Sequence, residues 1–110
     1  MNKKRQKTSR GVSMGAKPKT LFTEVLGENA RVKVIEFFVE NRELDFGVGD
    51  IARETNLSRQ MVYNVIEKFI EKDIIKETRP LLNKQMYGLN EGSRVVKRLK
   101  KLFDTIVLLN

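Results

Sequence analysis

From about position 21 onward, apolar residues recur at regular spacings, whereas residues 1–19 show no such pattern. Leu21 to Leu26 reads as a short helix stopped by Gly27, and a longer helix is expected over about 29–41. In that longer helix Val32, Ile35, Phe38 and Val39 share a face that Val34 and Phe37 widen. This predicts a helix covered on two sides at the centre of the fold. Residues 45–49 read as a loop or a very short edge strand, with Gly49 and Asp50 suited to begin the next helix. Further on, 74–78 and 85–89 have strand character and flank a turn at 80–84, which makes a β-hairpin. From position 91 a last helix is expected, with Val95, Leu99, Leu102, Ile106 and Leu109 at steps of 4, 3, 4 and 3 and with Val96, Phe103 and Val107 on a flank. The expected fold class is mainly α with a small β-hairpin.

Residues 50–72, DIARETNLSRQMVYNVIEKFIEK, carry the sharpest local signal: a short helix, a tight turn and a second helix. Ile51 and Ala52 give the first helix a small apolar face. Asn56 and Leu57 supply the turn, because Asn tolerates left-handed backbone, and Leu57 then drops into the core. Ser58 stands where an N-cap belongs, and Val62, Ile66, Phe69 and Ile70 predict the buried face of the second helix. Its other face carries Arg59, Gln60, Tyr63, Asn64, Glu67 and Lys68, with the first four, all hydrogen-bonding types, in the first two turns. A recognition helix presents donors and acceptors to base edges in this way. Any amphipathic helix shows solvent a polar face, so the reading rests on the conjunction of turn, cap and donors crowded at one helix end.

Composition narrows the chemistry. The 110 residues allow one domain. With no Cys and no His, the chain lacks disulfides, thiol nucleophiles, the usual zinc ligands and the commonest general base. The carboxylates, Asp45, Asp50 and Glu54 among them, are scattered over helix starts and outer faces, so no enzyme activity, metal or cofactor is expected. No apolar run spans a bilayer and no secretion signal is recognisable, so a cytoplasmic protein without membrane contact is expected.

The net charge of +8 is unevenly placed. Residues 1–19 hold seven basic side chains (Lys3, Lys4, Arg5, Lys7, Arg10, Lys17 and Lys19) and no acid. Residues 20–57 carry four basic against eight acidic side chains, and residues 58–110 carry eleven against six. Positive charge thus returns where the second helix of the motif begins. The 1–19 segment has too little apolar surface to offset the entropy of ordering and reads as a disordered arm, with Lys3, Lys4, Arg5, Lys7 and Arg10 placed to follow phosphates or enter a minor groove. The expected hairpin tip offers Arg79, Asn83, Lys84 and Gln85, also phosphate- or groove-contacting types. On the last helix Val95, Leu99, Leu102, Phe103, Ile106 and Leu109 form a face wider than one small domain covers, and their heptad-like spacing predicts pairing with a second copy.

The order helix, helix-turn-helix, two-stranded hairpin and long C-terminal helix, with I-A-R-E-T-N-L-S-R-Q-x-V-Y-x-x-I-E-K-F at 51–69 and Y-G-L-N at 87–90, resembles the winged helix-turn-helix regulators. It looks most like the compact MarR- and ArsR-like proteins of archaea and bacteria. The resemblance covers about residues 28–110. It implies that Ser58, Arg59, Gln60, Tyr63 and Asn64 face the major groove and that the 79–85 wing lies beside the backbone; Lys68, on the same polar face, is also taken as DNA-binding. The expected organisation is an arm at 1–19, a DNA-binding domain at 20–90 and a dimerisation helix at 91–110. ArsR-type metal sensors use Cys or His ligands that this chain lacks, and the long helices around MarR-type effector pockets are abbreviated here, so no small-molecule ligand is expected. The implied function is a homodimeric transcriptional regulator, acting as a repressor on double-stranded DNA. The alternatives are an architectural or plasmid-partition protein that coats DNA, and a protein-interaction module in a larger assembly.

Overall fold

The computed structural model describes the backbone of residues 20–109 and the side chains of residues 20–108. The basic residues expected in the arm, Lys3, Lys4, Arg5, Lys7 and Arg10, and the side chain of Leu109 lie outside the described residues. The order of elements is α1 (Leu21–Leu26), α2 (Ala30–Glu40), β1 (Asp45–Phe46), α3 (Val48–Thr55), α4 (Arg59–Glu71), β2 (Ile75–Leu81), β3 (Lys84–Leu89) and α5 (Arg94–Leu109).

Local chemistry accounts for most of the boundaries. Thr20 caps α1 through reciprocal bonds with Thr23, and its hydroxyl donates 2.7 Å to the buried Glu36 carboxylate, tying the start of α1 to α2. Gly27, at φ 98, ends α1 in a conformation that L residues resist. Asn29 caps α2 by accepting from the Val32 N–H. At the other end of α2, Arg42 donates to the Val39 carbonyl at 2.9 Å and to Asp104 of α5, also at 2.9 Å.

The core forms where α2, α3 and α4 meet the sheet. Val34, Phe38, Val39, Ile51 and Val62 are fully buried there, and Val96 of α5 closes one side. Phe46 tilts against Phe37 at 4.6 Å between ring centroids, anchoring β1 to α2. In α2, Val34 and Phe37 are buried and Val32 and Ile35 only half-buried, so the widening residues are the more central ones.

The structure refines the sequence expectations at several points, and the last helix, expected from 91, begins at Arg94. In α4 the buried positions are Val62, Val65, Ile66 and Phe69, a complete i, i+3, i+4, i+7 set. Ile70 falls one step past that set and is more than a third exposed. Helix α3 begins at Val48, with Gly47 as its cap, ahead of Gly49 and Asp50. Of the two readings of the segment before it, the very short edge strand holds, and its pairing with β3 turns the expected hairpin into a three-stranded antiparallel sheet in the order β1-β3-β2. Finally, the hairpin turn is only Leu82-Asn83, with Pro80 paired opposite Gln85 in the strands. A shift of register between Glu77 and Pro80 sets Thr78 and Arg79 in a bulge, and β2, as an edge strand, tolerates a proline.

Candidate nucleic-acid interface

The α3–α4 connection is built as its residues predict. Asn56 is left-handed (φ 59, ψ 40), and the Leu57 N–H donates 3.0 Å to the Ala52 carbonyl, closing the turn. Ser58 Oγ accepts from the Met61 N–H at 3.1 Å, so this hydroxyl serves α4 as its cap.

Beyond the cap, Arg59, Gln60, Tyr63, Asn64 and Lys68 are all exposed. Gln60 Nε2 donates to Asn64 Oδ1 at 3.1 Å, so the two carboxamides hold each other in orientation. Carboxamides pair bidentately with adenine in the major groove. Met61, also exposed on this helix, was absent from the residues expected there; its apolar type gave no signal of outward placement. Arg59 lies over the first turn of α3: a Cβ on Gly49 would sit 2.9 Å from its Nη2. The bare Gly49 is what admits the guanidinium. No acid occupies the first turn of α4, and a cation there opposes the helix dipole. Helix stability therefore does not explain Arg59.

The hairpin stands beside this surface. Tyr87, buried in β3, has its phenol pushed up by burial first and then by Glu77, Tyr63 and Glu67. Helix α4 itself packs against β2. From the start of β3, the Lys84 stem reaches back to Gly47, where a Cβ would lie 3.9 Å from Lys84 Cδ. Asn83 and Lys84 are exposed near the tip. Arg79 and Gln85 are placed differently from the expectation of a tip. Gln85 Nε2 folds back onto the carbonyls of Met86 (3.0 Å) and Arg79 (3.4 Å).

Arg79 sits in the bulge, where Nε and Nη2 donate to Asp45 at 3.0 and 3.2 Å and the Thr78 hydroxyl donates to the same carboxylate at 2.6 Å. This clamp crosses the central strand at Gly88, where a Cβ would be 3.1 Å from Thr78 Cγ2, so a side chain there would press against the clamp. The bonds from Arg79 and then Thr78 hold the Asp45 carboxyl below its ordinary pKa. Because the folded pKa is the lower one, the clamp is intact above the ordinary carboxylate value of about 4 and is lost as pH falls through the depressed one. Protection of the β2 amides, taken relative to intrinsic exchange, is therefore expected to fall as pH drops through that depressed value, and Asp45→Asn should show the lowered protection already at pH 7. Equal protection in both proteins at pH 7 would show that the clamp does not hold the hairpin.

The face expected to pair on α5 is divided. Ile106 is buried, Phe103 meets Phe22 of α1 edge-on at 5.3 Å, and Leu99 packs on the core, so all three serve the chain's own interior. The reason is α1, which covers the inner side of α5. Val95 and Leu102, seven residues apart, remain about 40% exposed (41% and 40%).

Among the described residues no acidic cluster is arranged to hold a metal ion, and no helix is long and apolar enough to cross a membrane.

No protein-family model matches the chain, and no curated protein is significantly similar to it. Solved structures do match. The winged helix-turn-helix DNA-binding domain of Mb0332 from Mycobacterium bovis, a homodimer and possible ArsR-family transcriptional regulator, superimposes with a TM-score of 0.53 at 16% identity, over 84% of this chain and 89% of that one. The fold is a winged helix-turn-helix. The adhesin competence repressor AdcR from Streptococcus pyogenes also aligns, with a TM-score of 0.53 at 14% identity. That match covers 72% of this chain but only 60% of AdcR. In this winged helix α3 and α4 are the two helices of the motif, β2–β3 is the wing, and β1 is the short third strand that braces it.

Proposed function

We propose that the protein is a double-stranded DNA-binding transcriptional regulator, acting as a homodimer and repressing by occupying its operator. The observation that carries this reading is the exposed, mutually oriented Gln60–Asn64 pair in the first turns of α4, next to Arg59 and beside the wing. Ser58, Tyr63 and Lys68 complete the DNA-facing surface, and Asn83 and Lys84 approach the backbone. Arg79 and Gln85 support the wing from within. In this reading the basic residues of the 1–19 segment add phosphate contacts, and the protein works in the cytoplasm, with no cofactor. The structures of a homodimeric DNA-binding domain and of a repressor among the fold's relatives favour the same reading.

Selection from a randomised duplex pool at near-physiological salt tests it. A palindrome with half-sites about 10 base pairs apart, centre to centre, is the expected product. Retention without enrichment would favour DNA coating instead, and no retention would reject DNA binding. On the selected site, Arg59→Ala is expected to cost about 1–3 kcal/mol and to relax specificity at one base position. An equal loss on all sequences would assign Arg59 to phosphate alone.

A further inference from the structure

The wing tip contains residues that neither the fold nor its turn chemistry explains. The two-residue turn Leu82-Asn83 has φ 52 and φ 65, the left-handed pair of a type I′ hairpin. That geometry favours Asn-Gly or Asp-Gly, and a leucine there is strained because its Cβ crowds the following carbonyl. Leu82 is nonetheless 86% exposed, so it gains nothing from burial within the chain. Leu81, beside it, is 41% exposed. The strained position and the exposed apolar side chain are both costs to the free protein.

We propose that this tip is an apolar wedge: Leu82, backed by Leu81, enters the minor groove of double-stranded DNA and opens a base step next to the major groove that α4 faces. The proposal rests on the double-stranded DNA reading above. Leucine is among the side chains able to part stacked bases and kink a duplex by about 20–90°. Three features select DNA as the occupant. With Arg79 neutralised by Asp45, the exposed Lys84 beside the turn leaves the tip positive, and residues 78–90 carry no acid, which suits a polyanion. A two-residue turn is a narrow probe, as a groove about 6 Å wide requires. The Asp45 clamp at the root of the wing fixes the tip relative to α3, so the leucines meet the duplex without first having to be ordered.

The deciding variant is Leu82→Asn, which suits a type I′ turn better than leucine does and is expected to leave the thermal midpoint unchanged or raised. Leu82→Ala, which keeps the strain but removes the wedge, serves as a second variant. The probe is a 30-base-pair duplex, about three helical turns, carrying the selected site (or a mixed sequence if none is enriched), with donor and acceptor dyes at its ends. The wild-type protein is expected to shorten the end-to-end distance. Both variants should bind with the same salt slope and roughly tenfold more weakly, while leaving the duplex straight. 2-Aminopurine placed at the kinked step should brighten with wild type only. Equal bending by all three proteins, or bending by none of them while binding persists, would overturn the wedge and leave the DNA reading intact. Absence of binding by the wild type would overturn both. Sedimentation of wild type, but not Leu82→Asn, with anionic phosphatidylserine vesicles, together with identical DNA behaviour, would reassign the tip to a lipid surface.

Discussion

On the homodimer proposed above, Leu102→Glu is expected to yield a monomer and to weaken binding to a two-half-site duplex by roughly 10²–10⁴-fold. The argument starts from α5, whose inner side is filled by α1 and the core while Val95 and Leu102 stay about 40% exposed (41% and 40%) on one flank. Their seven-residue separation keeps both on the stripe along which a second α5 would lie. A glutamate at position 102 would face its own symmetry mate across such a contact, placing like charges together in a partly desolvated interface. The fold should survive, because the position is half in solvent already. Two half-sites joined through one dimer bind with an effective concentration near millimolar, and that advantage disappears in the monomer. Sedimentation equilibrium and titration of single and double half-site duplexes check this. Single half-site affinity should be unchanged, and a variant that remains dimeric would rule out this stripe as the contact.

Phe38→Ala is the expected extreme for stability, with a loss of about 3–5 kcal/mol. Phe38 is fully buried, edge-on to Phe37 at 5.4 Å and to Phe46 at 6.0 Å, so truncation removes both apolar burial and two ring contacts at the junction of α2 with β1. Because domains of this size are stable by only about 5–15 kcal/mol, the variant should be close to unfolding at physiological temperature. Urea titration followed by circular dichroism is the check. Phe38→Leu, closer in volume, should lose much less, and a loss below about 1 kcal/mol for alanine would mean that the site collapses freely around the gap.

What the sequence made legible was local. The turn at Asn56, the cap at Ser58 and the stop at Gly27 each follow from one residue's backbone preference, and all three are found where expected. The helices followed from periodicity because each buries a continuous stripe. Pairings that join distant segments did not show. β1 is two residues long, too short for any period, and its partners Tyr87 and Gly88 lie some forty positions away. With 45–49 left open between loop and edge strand, nothing in the sequence assigned Arg79 to Asp45, and a basic residue near a turn reads as a free contact. Ile70 and Val65 exchanged roles for a related reason: both are apolar, and only the packed position of α4 decides which faces inward. On α5 the apolar face was visible, but its division between the chain's own core and a partner depends on α1, whose six residues carry little signal.

The clamp across Gly88 has a mechanical consequence. Asp45 belongs to the strand that leads through Gly47 alone into α3, so the residue gripping the wing is one short step from the helix that positions α4. Wing and reading helix therefore behave as the two jaws of a fixed caliper rather than as independently hinged fingers. On the DNA reading proposed above, such a caliper would gauge the distance between adjacent grooves, and a stretched or overwound duplex would be rejected even when every base it presents is correct.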